Sequence, residues 1–378
     1  MLARTLCLLC VSAALAGCAS RPAAPDVAHL PWQDAHFAWR DEPLTPSPED
    51  IFRLDPQLAQ ALEEPALQRL PPLDRATRLM TLIFGPRRDL FHYESGHTTT
   101  AAESWRRHRG DCISLTVLAY AAARALRLDA QIQEVDIPAL YVRDHGFELV
   151  NHHVNLVIRI PPRPQHAEAR QMTIDFDPGG MPWLAGRALS TAAVVARVYS
   201  NLAAQALTGG HAQSAYADLK AAILADPAHA ASYTNLALLY RQEGFDAEAE
   251  RLLHAAIALD DQPTTALHAL AELLQGQGRS VEAQRVIEQL RTRQEADPHY
   301  WSALGARHLA EGRPADAVRA LERAQALSDG FGEVHRQLVT AYLQLGKREK
   351  AREQMALLAA SEDGEPLHTR LKKKLPLQ

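Results

Sequence analysis

The sequence predicts an α+β domain followed by an all-α superhelix, and three observations carry that reading. Apolar residues alternate in short runs at 130–135, 153–160 and 172–176, the period of half-buried strands. Strand signals vanish from about residue 196, and a period of 34 residues runs from there to 365. The composition supplies material for sizeable cores. Of 378 residues 47% are hydrophobic, and 23 Pro with 19 Gly stay near average, which excludes a collagenous or globally disordered chain. Lys plus Arg number 40 against 45 Asp plus Glu, a formal charge of −5. The basic excess of a phosphate-neutralising groove is missing, so no nucleic-acid partner is expected.

Residues 1–17 carry Arg4 and then the apolar run Leu6 to Ala16. A bilayer needs about 20 apolar residues, so this run reads as a signal-peptide segment and not as a membrane span. It ends in Leu15-Ala16-Gly17-Cys18, which resembles the lipobox of bacterial lipoproteins. That resemblance implies lipidation at Cys18, and acyl chains at about 0.8 kcal/mol per buried CH₂ make such anchoring stable. With Ala19 following the cysteine, it also implies a periplasm-facing outer-membrane lipoprotein. Residues 18–48 hold Pro22, Pro25, Pro31, Pro43, Pro46 and Pro48 among small and polar residues, and read as an extended linker from the membrane.

Residues 49–191 form the α+β domain. Gly110-Asp111-Cys112 precedes Leu115, Leu118, Ala122 and Leu126 at helical spacing, with Asp111 placed as an N-cap. A thiol in that first turn meets the positive end of the helix dipole, which favours the thiolate, and the free N–H groups there can receive an oxyanion. Downstream, 152–160 alternates as a strand, so the adjacent His152 and His153 leave on opposite faces. Met172 to Pro178 is a further strand ending at a proline turn, with Asp175 and Asp177 on one face. Cysteine, histidine and carboxylate then follow the order nucleophile, base and orienter.

The stretch Ala101 to Cys112, the following Leu118, Ala119 and Ala123-Arg124-Ala125-Leu126, and then His153 and Asp175, resembles the transglutaminase-like superfamily of papain-type cysteine folds over roughly 70–190. That resemblance implies Cys112 as nucleophile, His153 as general base and acid, and Asp175 as the residue orienting the imidazole. His152 and Asp177 stay open as alternatives, the latter because the family's carboxylate often precedes Pro. Asn155 stands where the family often has an aromatic. Tyr93 is a candidate oxyanion donor or a core aromatic.

In the repeats, Gly210, Gly244, Gly278, Gly312 and Gly346 are spaced by 34, as are Ala215, Ala249, Ala283, Ala317 and Ala351. Leu202-Ala203, Leu236-Ala237, Leu270-Ala271, Leu304-Gly305 and Leu338-Val339 recur in step. Small residues allow antiparallel helices to cross closely, and Gly fits the turn between them. The pattern resembles the tetratricopeptide repeat in five units, 196–229, 230–263, 264–297, 298–331 and 332–365, which implies a surface for a peptide or protein partner. Residues 366–378 are a solvated basic tail.

The 17 histidines form no HExxH or Cys-pair spacing, and no P-loop or GxGxxG is present, so neither metal nor cofactor is expected. Signal cleavage would remove Cys7 and Cys10 and lipid would occupy Cys18, leaving Cys112 as the one thiol. Two functions follow as expectations. One is a periplasmic cysteine-dependent acyl-transfer enzyme or peptide/amide hydrolase with a protein-binding repeat domain; the other is a non-catalytic scaffold or assembly lipoprotein.

Overall fold

The computed structural model describes residues 24–40, 44, 46–85, 91–135, 143–144, 147–148, 153–162, 170–176, 186–260, 263–328 and 332–360. The signal segment, Cys18 and the basic tail lie outside them. The first part of the chain carries α1 (Pro48–Phe52), α2 (Pro56–Leu62), α3 (Pro65–Gln68), α4 (Pro72–Phe84), β1 (His92–Tyr93), α5 (Ala101–Arg107), β2 (Arg109–Gly110) and α6 (Cys112–Ala125). The strands β3 (Asp129–Val135), β4 (Arg143–Asp144), β5 (Phe147–Glu148), β6 (His153–Ile160), β7 (Arg170–Ile174) and β8 (Arg187–Ala188) follow. β7, β6, β3 and β8 form one antiparallel sheet in that order, with Ile132 opposite Leu156 and Leu156 opposite Ile174. The first hydrophobic core lies between the helices and this sheet, and includes Leu115, Leu118, Leu126, Leu156 and Ile158.

Among the described residues five helix pairs follow: α7 (Thr191–Thr208) with α8 (Ala212–Ala225), α9 (Ala230–Gln242) with α10 (Asp246–Leu259), α11 (Thr264–Gly276) with α12 (Ser280–Ala296), α13 (Pro298–Ala310) with α14 (Pro314–Leu327), and α15 (Gly332–Gln344) with α16 (Arg348–Ala360). The glycines spaced by 34 have φ between 69° and 82°, the left-handed conformation that closes each pair's turn. The small positions mark helix crossings. A Cβ on Gly305 would lie 2.5 Å from Leu321 Cγ, inside contact distance.

Two boundaries differ from the sequence reading. The first repeat helix begins at Thr191 and not near 196, because its opening turns serve the preceding domain: Val194, Val195, Val198 and Tyr199 are buried in the first core. Further along the same helix, Ala203 and Leu207 belong to the second core, which runs through α12. Arg197 locks this joint. Its Nε and Nη2 donate to Glu134 Oε1 of β3 at 2.8 and 2.6 Å, with both side chains 7% exposed.

The expected extended linker is also corrected. Residues 26–40 fold against the repeats, with Phe37 buried to 3% in the second core and Trp32 and Trp39 packed beside it. Proline content suggests a spacer, but three aromatic side chains here gain more by burial than an extended chain would retain.

Glu134 is also paired with Arg187 Nη2 at 2.5 Å, so Arg197→Ala leaves its carboxylate one partner. The substitution is expected to lower stability by about 1.5–3 kcal/mol through the lost charged hydrogen bonds, read from the urea midpoint; a loss below about 0.5 kcal/mol contradicts the joint. Asp218 of α8 has its carboxyl pushed up to about 7 by burial. Its acid form is favoured in the folded chain, so that stability is full below the unfolded pKa of about 3.9 and is lost as pH rises through about 7. Asp218→Asn is expected to raise the Tm at pH 8, with the gain shrinking toward pH 4, measured by thermal scans across that range.

Candidate active site

Cys112 is the first residue of α6, and a buried polar cluster fixes that turn. Asp111, 1% exposed, is the N-cap: its Oδ1 accepts from Ser114 N at 2.9 Å and from Ser114 Oγ at 2.6 Å, and its Oδ2 accepts from the Thr98 hydroxyl. Thr99 N donates to Ser114 Oγ at 2.8 Å, and Thr99 Oγ1 bonds Ser104 Oγ at 2.8 Å. A cap that satisfies the third N–H of the helix also shapes the turn that carries the thiol. Gly110 is needed for space, since a Cβ there would meet Ser114 Cβ at 2.8 Å. Thr98, Thr99, Ser104 and Ser114 were missed at the sequence level. Their one signal was a run of three threonines ahead of a helix.

β1 lies parallel to β2, pairing Tyr93 with Gly110, and Glu94 N donates to Gly110 O at 3.0 Å. Tyr93 is thus placed beside the backbone just ahead of Cys112, half-buried against the first core.

His153 opens β6, and its Nε2 is 2.7 Å from Asp175 Oδ2, with the side chains 7% and 5% exposed. Asp175 follows the last residue of β7, and the register sets it on the same sheet face as His153 and Asn155. With Nε2 bonded to the carboxylate, Nδ1 is the nitrogen left for proton transfer. The start of β6 adjoins α6: Thr116 Oγ1, one turn after Cys112, donates to Val154 O at 3.5 Å. Strand alternation sends Val154, Leu156, Ile158 and Ile160 into the core that holds Cys112, while His153 and Asn155 leave on the other face. The structure therefore assembles the imidazole–carboxylate pair on one face of β6, while the Cys112 thiol, 2% exposed, lies in the core against the other. His152 and Asp177 lie outside the described residues.

Asn155 is fully buried, and neither its Oδ1 nor its Nδ2 finds a hydrogen-bond partner among the described residues. An unpaired buried amide costs about 1–3 kcal/mol, so the face shared with His153 and Asp175 is polar at some expense to stability. A cleft of about 540 Å³ opens beside β1 and β2, lined by His92, Tyr93, Glu94, Arg107, His108 and Arg109. A larger groove of about 940 Å³ lies away from the cysteine, between α10, α11 and α12. Among the described residues no set of three His, Cys, Asp or Glu gathers to hold a metal ion, and no helix is long and apolar enough to cross a membrane.

Residues 247–306 and 308–375 match the tetratricopeptide repeat family. The chain carries tetratricopeptide repeats. Similar solved structures include pilF of Pseudomonas aeruginosa, at 21% identity over 45% of this chain and 78% of that one, with a TM-score of 0.27. YrrB, described as a tetratricopeptide repeat protein with an unusual peptide-binding site, is 18% identical over 47% of this chain and 92% of its own, with a TM-score of 0.25. MamA from Desulfovibrio magneticus RS-1 is 17% identical over 43% and 91%, also at 0.25. No curated protein matches the chain.

Asp111→Ala removes the acceptor of three hydrogen bonds at the cysteine turn. It is expected to cost about 2 kcal/mol in urea unfolding, and Asp111→Asn less, because an amide oxygen still accepts from Ser114 N. Equal losses in the two variants contradict the cap.

Proposed function

We propose that this chain is a lipid-anchored interaction scaffold whose repeats recruit a peptide or protein partner and hold it near a transglutaminase-like cysteine domain. The repeat array carries the reading, because stacked helix pairs offer extended surface for a partner. The groove between α10, α11 and α12 suits this role, with Ile257, Leu267 and the 69%-exposed Val281 bordered by Arg285, Glu288 and Arg293. Anchoring through Cys18 would keep the array on the periplasmic face of the outer membrane; its support is the lipobox resemblance alone.

The His153–Asp175 pair and the capped Cys112 turn favour a second reading, cysteine-dependent acyl transfer. The Cys112 thiolate would attack a carboxamide or peptide carbonyl, the N–H groups at the start of α6 would hold the oxyanion, and the imidazolium would protonate the departing amine. Water or a second amine would then resolve the thioester. Asp175 would keep the ring oriented.

The two readings separate in the native host. If the array is the working part, Cys112→Ser is expected to restore a deletion phenotype fully while a chain lacking 246–360, and with it the α10–α12 groove, is not. If catalysis is required, Cys112→Ser fails, and a thiol-directed acyl probe labels the wild-type chain at Cys112 but not Cys112→Ala. Equal labelling of both chains would remove the enzyme reading.

A further inference from the structure

Residues 31–40 occupy the first two repeats as a peptide ligand would. Phe37 stacks on Tyr216 and Tyr240, with ring centroids 4.4 and 6.0 Å away and planes within 12° and 8°. Asp34 Oδ1 accepts from Tyr216 OH at 2.7 Å, and Lys220 Nζ lies 2.7 and 2.9 Å from the two Asp34 oxygens. The same ammonium sits 3.5 Å from the centroid of the Trp39 ring. Tyr216 OH accepts from Gln33 N at 3.0 Å, and Tyr240 OH donates to Pro31 O at 2.9 Å. Ala38 takes a left-handed φ of 50° so that Phe37 and Trp39 can both reach the helices.

The repeat side of this contact is what makes it a recognition site. Lys220 is 8% exposed, and Tyr216 and Tyr240 are fully buried. A lysine buried in a helical array needs an acidic partner, and all three of these polar groups have hydrogen-bond partners on the segment. The α8–α9 surface is therefore complementary to an acid followed at three and five residues by aromatics, the pattern of Asp34, Phe37 and Trp39.

We infer that repeats one and two recognise peptides of the form acid-x-x-aromatic-x-aromatic, and that the chain's own 31–40 fills this site in cis as a latch a partner of the same chemistry must displace. The inference rests on the reading of the repeats as partner-binding, and it names the partner class. A tethered segment holds its site at an effective concentration on the order of millimolar, so an external peptide competes poorly until the latch is weakened.

The test uses the full chain and a fluorescein-labelled synthetic peptide spanning 26–40, read by anisotropy. Asp34→Ala with Phe37→Ala, in a chain whose far-UV circular dichroism matches wild type, is expected to bind the peptide at least tenfold tighter than wild type does. Adding Lys220→Met to that background is expected to lose at least tenfold. Equal binding by wild type and the released chain, or indifference to Lys220→Met, overturns the inference. Should the double variant fail to fold, amide exchange of 32–39 in wild type is followed with unlabelled peptide at millimolar concentration; faster exchange supports displacement and unchanged exchange overturns it. Because peptide affinity is read directly, failure here leaves partner recruitment through the α10–α12 groove to its own test.

Discussion

One helix belongs to two cores, and the arrangement of the chain depends on it. The opening half of α7 completes the core beneath the sheet through Val194, Val195, Val198 and Tyr199, and its closing half starts the repeat core through Ala203 and Leu207. A helix packed on both sides leaves no hinge between the cysteine domain and the first repeat. The buried Glu134–Arg197 pair adds a directional lock, since an arginine held by two N–H bonds to one carboxylate oxygen tolerates little rotation of α7 against β3. Tyr199 OH donating to Pro46 O at 2.8 Å ties in the chain just ahead of α1 as well.

That rigidity has a functional consequence. A partner bound on the early repeats would stand at a fixed distance and angle from the cysteine turn, as both scaffolding and chemistry require. The array is less uniform further on. Its second core ends in α12 at Ala283 and the third begins in α14 at Ala317, with α13 contributing only the partly buried Trp301 and Leu309. The apolar seam is interrupted there, next to the open groove between α10, α11 and α12.

Much of this was legible in the sequence where local chemistry decides structure. The 34-residue spacing of Gly and Ala identified the helix pairs, because only small residues fit their turns and crossings. Gly110-Asp111-Cys112 announced a capped helix for the same kind of reason. The alternation of 153–160 gave β6 its span, and Asp175 meets His153 as the order of residues suggested. What escaped depends on tertiary partners. Residues 26–40 read as a spacer because the complement to Asp34 and Phe37 lies some 180 residues away on Tyr216 and Lys220. The true start of α7 was hidden because Val194 and Val198 serve a core built by earlier residues. Which face of β6 meets α6 was hidden too, since both faces are buried between 153 and 158.

The shared role of α7 is tested most directly by native-state amide exchange. If the helix joins both cores, the amides of 194–198 and of 203–207 exchange with a single opening free energy, equal to that of the α6 amides at 115–122. Exchange of 203–207 at a lower opening free energy together with the later repeats, while 194–198 stay protected with α6, would contradict it.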